Sequence, residues 1–346
     1  MKPVLIITHG MGVHTEESFK KEVVGALNAA YQSYPSFKGK NIQDVIDVEC
    51  VEYDSILNKY REQMAEDASN MLQVLSGIPG QGNIQKLTTL LTGYAAKLGD
   101  DKFFNTHLFD VLLYRFTVLG EVCRIKLGLK IIEEVGKRGG PYVHVLGHSL
   151  GTSLVHDTLA TVYAKGYMHN GVVKALSPHY HRLASVHMVA NVSRILESFV
   201  NVNKSIVRPG EGCTNYFREY RHKFDPFTWI KPFDPTETPP WVELGYKLKQ
   251  PKRIAQFNTH DVAHYIQNPL VHREMMPFFD DSFWPSENEK HHADKQFHDK
   301  TVLGKYKKLA QAAENINYKD PDSLVALFKS ASAFKKFVES LGGQFL

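Results

Sequence analysis

Residues 143–151 read Val-His-Val-Leu-Gly-His-Ser-Leu-Gly, an apolar strand that runs straight into Gly147-His148-Ser149-Leu150-Gly151. The next residues, Thr152-Ser153-Leu154-Val155-His156, have the pattern of a helix. A strand that passes directly into a helix must reverse within a residue or two. The serine at the bend is then forced into uncommon backbone angles with its Oγ raised above the sheet, and the positions two residues either side must be nearly free of side chain. Gly147 and Gly151 stand at those two positions. The pentapeptide alone recurs by chance in unrelated chains; the apolar strand before it and the helical run after it give it weight. The plain alternative is a strand-to-helix turn with no chemistry.

The rest of the chain fits a protein in which strands alternate with helices. Residues 4–7 (Val-Leu-Ile-Ile) form a short, unbroken apolar run, the mark of a strand buried on both faces. A helix is predicted from Thr15 to about Tyr31, with Thr15 as N-cap and Glu16 and Glu17 in the first turn. Further strands are predicted at 46–53, 185–193, 214–220 and 253–257, and the proline- and aromatic-rich stretch 225–241 reads as an ordered loop. Residues 54–137 carry helical stretches, the longest at 107–132, around a Gly- and Gln-rich loop at 77–82; another helix is expected at 323–341. The expected class is therefore α/β, a mostly parallel sheet with helices on both faces. One domain would span 1–280 with a helical cap insertion at about 54–137, and a helical C-terminal extension, 281–346, would pack on it.

Composition removes several functions. With 346 residues, 43% of them hydrophobic, there is enough apolar side chain for a substantial core. A net charge of +4, with Lys and Arg scattered rather than striped, does not suggest nucleic-acid binding. Three dispersed cysteines, Cys50, Cys123 and Cys213, suit neither a disulfide framework nor a thiolate metal site. His179 with His181, and His291 and His292 with His298, lack the ligand spacing of a metal centre and read as surface histidines. The opening apolar run is too short for a signal peptide, and no stretch reaches the roughly eighteen apolar residues of a membrane span. A cytoplasmic protein is expected.

A serine needs a base, an acid to orient that base, and donors for the developing oxyanion. On a sheet of this kind the acid and then the histidine follow the serine along the chain, each at the end of a later strand. Asp225, just after the 214–220 strand and stiffened by Pro226, is the preferred acid; Asp234, also followed by proline, is the fallback. His260 is the preferred base because it follows the predicted 253–257 strand, with His264 as the alternative. Seventeen histidines make a candidate easy to find, so position relative to the strand has to decide. After the first strand, His9-Gly10-Met11-Gly12 offers a tight turn whose amides can face a substrate oxygen. The backbone N–H groups of Met11 and Leu150 are the expected oxyanion pair. No Gly-x-Gly-x-x-Gly or P-loop pattern competes for that turn.

With these residues in place, the chain resembles the serine hydrolases of the α/β-hydrolase superfamily. Residues 216–232 are similar to the stretch around the catalytic acid of DDHD-type intracellular phospholipases, where a strand leads into His-x-x-Asp-Pro; His222 to Pro226 matches it. His260 to Tyr265 followed by Asn268-Pro269 resembles the His…Tyr…Asn-Pro pattern around the base of several lipase-like families. The likeness is diffuse over about 1–280 and does not reach 54–137 or the tail beyond 280. It implies hydrolysis of carboxylic esters through an acyl-enzyme, with a small-molecule or lipid ester as substrate and no metal or organic cofactor. Peripheral membrane contact is compatible with it. An acyltransferase or thioesterase using the same residues, and a non-catalytic interaction protein on the same fold, are the alternatives.

Overall fold

The computed structural model describes residues 1–10, 14–57, 114, 118–194, 205–229, 232, 233, 235, 240–256, 258–301, 303–305, 307, 308 and 311. The chain divides into two compact units interleaved in sequence. The first holds Met1–Lys21, Ile46–Glu219 and Phe227–Leu248; the second holds Glu22–Val45, Tyr220–Pro226 and Lys249–Leu346.

A six-stranded sheet forms from β1 (Val4–Thr8), β2 (Asp47–Cys50), β3 (Val143–His148), β6 (Leu183–Val189), β7 (Thr214–Tyr220) and β8 (Tyr246–Lys249), in the order β2-β1-β3-β6-β7-β8. β1 pairs in parallel with β2 and with β3, and β3 pairs in parallel with β6. Every residue of β1 and β3 is buried. Since strand side chains alternate between faces, both faces of these central strands are covered, as an unbroken apolar run requires.

Two helices supply apolar stripes to the core of the first unit. In α2 (Val118–Arg138), Leu119, Cys123, Leu127, Ile131 and Val135 recur every fourth residue and are buried. In α3 (Leu150–Ala164), Leu150, Leu154, Val155, Leu159 and Val162 join the same cluster, together with Val4, Ile6, Val143 and Val145 of the sheet. In the second unit, Asp261 caps the helix Val262–Gln267, Asn268 caps Pro269–Met275, and Ser286 with Glu289 forms a capping box on Glu287–Lys300. The helix α1 (Glu16–Gln32) begins as expected, with the Thr15 hydroxyl accepting from the Ser18 amide at 3.1 Å.

Several expected elements differ. β2 stops at Cys50 rather than 53, because the carbonyl of Val51 accepts from the Thr8 hydroxyl and the amide of Tyr53 donates to the His9 ring. β6 ends at Val189, since Ala190 takes φ 50°. No strand forms over the described part of 253–257: the Arg253 carbonyl accepts from His222, and the Ala255 amide donates to His264. The last strand among the described residues is β8, which was not expected. A two-stranded antiparallel hairpin, β4 (Tyr167–His169) and β5 (Val172–Lys174), was also not expected. Its turn is Asn170-Gly171 at φ 51° and 77°, the positive pair that a tight hairpin demands.

Of the predicted helical insertion, residues 58–113 lie outside the described residues, as do the 77–82 loop and the 323–341 helix. No helix among the described residues is long and apolar enough to cross a membrane.

Candidate active site

Ser149 and Leu150 lie in the first unit together with His9 and Gly10, whereas Asp225, His260 and His264 lie in the second. Met11 and Asp234 lie outside the described residues.

Ser149 is the residue between β3 and α3, and it holds φ 54° and ψ −125°. For a residue with a Cβ this backbone conformation is costly. Its amide donates to the Val189 carbonyl at 3.0 Å, and its own carbonyl accepts from the Thr152 amide at 2.9 Å and hydroxyl at 2.6 Å. The bend is thus held from both sides. Three glycines leave room for it. A Cβ on Gly147 would lie 2.8 Å from the Gly151 carbonyl oxygen, and one on Gly151 would lie 2.4 Å from that of His9. A Cβ on Gly10 would come within 2.6 Å of the Ser149 Cβ and 3.1 Å of its Oγ. Gly10, just after β1, therefore rests directly against the serine, and the motif glycines are required by space. Leu150 opens a fifteen-residue helix, whose first amides have no intrahelical acceptor.

The turn after β1 has its own support. His9 is fully buried, and its ring stacks on Tyr53 with centroids 4.2 Å apart. Its Nδ1 lies 2.7 Å from the Gly10 carbonyl oxygen, and the Tyr53 amide donates to its Nε2 at 3.3 Å. A carbonyl can only accept, so Nδ1 carries the proton and Nε2 is the acceptor. Burial holds this imidazole down at about 3, so it stays neutral. The Tyr53 hydroxyl lies 2.9 Å from the His9 carbonyl and 2.8 Å from that of Gly10, and Asp54 accepts the His14 amide at 2.5 Å. Sequence reasoning missed Tyr53 and Asp54; a parallel strand beside β1 whose end carries polar residues was the available signal.

In the second unit, Asp225 is fully buried. Its Oδ2 accepts from His260 Nδ1 at 2.9 Å and from the Tyr265 hydroxyl at 2.7 Å. The Tyr265 oxygen in turn accepts the His222 amide at 2.7 Å. With its Nδ1 proton committed to the carboxylate, a neutral His260 has Nε2 as its basic nitrogen. Two further bonds hold the segment beside His260: the Thr259 hydroxyl donates to the Phe224 carbonyl at 2.7 Å, and the His260 amide donates to Asn258 at 3.1 Å. His264 is placed differently. Its Nε2 accepts the Ala255 amide at 3.2 Å, and burial, then the neighbouring His222, pushes its pKa down to about 4. Asp225 and His260 are thus brought together across 35 positions, and His264 serves the backbone.

Sheet, helices and bend define an α/β protein with a serine set at a strand-to-helix turn. No protein-family model matches the chain, and no curated protein matches it.

Proposed function

We propose that this chain is a serine hydrolase of the α/β-hydrolase type that cleaves carboxylic esters. The observation that carries the reading is Ser149 itself: a non-glycine residue at φ 54° on a strand-to-helix bend, with three glycines making space around it. Strain of this sort persists where a site depends on it. The buried Asp225 bonded to His260 supplies the second half of the chemistry.

In this reading the Oγ of Ser149 attacks the acyl carbonyl carbon while His260 takes its proton at Nε2. Asp225 holds the ring in the required tautomer and stabilises the imidazolium. The amides of Met11 and Leu150 stabilise the tetrahedral oxyanion. His260 returns the proton to the departing alcohol as the carbon–oxygen bond breaks, leaving an acyl-Ser149. Water, deprotonated by His260, then releases the carboxylic acid and regenerates the serine. Lipid esters are the favoured substrates, on the likeness around Asp225 and His260 to lipase-type sequences, with a cytoplasmic site of action.

A fluorophosphonate probe tests this directly. Labelling of Ser149 in the folded protein, lost in Ser149→Ala, is the expected result; absence of labelling in the wild type overturns it and favours an interaction protein. His260→Ala and Asp225→Asn should lower ester turnover by about 10³-fold or more. His264→Ala should keep a measurable fraction, and the reverse ranking of the two histidines would exchange their roles. Product analysis with an added alcohol acceptor separates hydrolysis from acyl transfer.

A further inference from the structure

We infer that Tyr53 is a positioning residue for this reaction, latching the backbone of His9 and Gly10 against Ser149. The inference rests on the reading of Ser149 as nucleophile. Tyr53 follows β2 on the chain, 43 residues after Gly10, yet it holds the turn by three separate contacts. Its hydroxyl reaches the carbonyls of both His9 and Gly10, its amide binds His9 Nε2, and its ring stacks on the imidazole at an interplanar angle of 16°. His9 closes the arrangement from inside the turn, with Nδ1–H on the same Gly10 carbonyl.

The consequence follows from peptide geometry. A trans peptide unit is planar, so the Tyr53 hydroxyl on the His9 carbonyl fixes the orientation of the His9–Gly10 unit, while two donors set the direction of the Gly10 carbonyl. That unit adjoins the point where Gly10 approaches Ser149 most closely. Freed from the latch, the turn would keep its chain path but lose its exact aim, and a misplacement of about 1 Å at a catalytic site costs on the order of 100-fold in rate. Among the described residues, the hydrogen bonds that hold these carbonyls come from Tyr53 and His9.

Tyr53→Phe removes the hydroxyl and keeps the stacked ring. The assay is turnover of a short-chain p-nitrophenyl ester, normalised to active sites counted by complete fluorophosphonate labelling, so that misfolded molecules drop out. The expected result is a fall of about 10- to 100-fold in kcat per labelled site, with KM within about threefold. His9→Ala should fall in the same way. His9→Asn, whose amide N–H can replace Nδ1–H on the Gly10 carbonyl, should recover part of the loss. A purely structural role would reduce the number of labelled sites and leave the rate per site unchanged, and that result overturns the latch while leaving the nucleophile in place. A wild type that is neither labelled nor active removes the hydrolase reading and the latch with it.

Discussion

Ser149 illustrates how one residue can oppose the stability of the protein it serves. Its φ of 54° and ψ of −125° would suit glycine, and a backbone forced into such a region costs about 1–3 kcal/mol. Glycine would relieve that cost but lose more conformational freedom on folding, about 0.5–1 kcal/mol. Ser149→Gly is therefore expected to raise the unfolding free energy by about 1 kcal/mol while abolishing labelling and turnover. Chemical denaturation of the variant beside the wild type checks it, and a less stable variant would show that the bend is not strained. The two histidines of the second unit carry a different lesson at this scale. Position after a strand at 253–257 was the sequence argument for preferring His260, and that strand is not formed among the described residues. What separates the two rings is their bonding: His260 meets a buried carboxylate, and His264 accepts a backbone amide. A linear sequence does not display such partners, because each depends on where a loop folds back.

Among the elements, glycines divide sharply by surroundings. Gly25 in α1 and Gly136 in α2 are exposed, and a Cβ at either would meet nothing within 4 Å. Each →Ala change should stabilise the protein by about 0.5–1 kcal/mol, the usual gain for an unhindered helix interior. Gly151 lies in the first turn of α3, where a Cβ would strike the carbonyl oxygens of His9 at 2.4 Å and Thr8 at 2.7 Å. Gly151→Ala should therefore cost about 1–3 kcal/mol, since backbone cannot yield as a flexible side chain does. Thermal melts of the three variants decide it; equal shifts would mean that the helix does not press on the end of β1. The elements that were legible in the sequence, β1, β3, β7 and the start of α1, are those whose pattern or cap is written locally. The β4–β5 hairpin was not among them: Asn170-Gly171 is a local turn signal, but its three-residue strands fall below the length at which periodicity registers.

At the scale of the whole molecule, buried histidines set the response to acid. Burial holds His9 at about 3, His144 at about 4, His264 at about 4 and His272 at about 3, all below the ordinary value of 6.5. Below pH 6.5 the unfolded chain therefore binds protons at these rings that the native protein refuses, so acidification favours unfolding; above that pH both states are neutral there and the contribution is constant. At pH 5 the penalty is roughly 2 kcal/mol per ring, and a few such rings approach the total stability of a domain, about 5–15 kcal/mol. The melting temperature should hold steady from pH 8 to 7 and fall steeply from 6.5 to 5, with more than one proton taken up per unfolding event. A flat profile down to pH 5 would mean that the rings are not buried as described. Seventeen histidines were visible in the sequence, but which of them would be neutral was not, because burial is a property of packing. The sequence by itself determined the alternation of strand and helix and the bend at Ser149, since apolar period, caps and glycine spacing act between neighbours in the chain. Only the tertiary structure decided that Tyr53 grips the turn after β1 and that Asp225 meets His260. Those contacts join residues tens of positions apart, and their partners are chosen by strand order and by where each loop comes to rest.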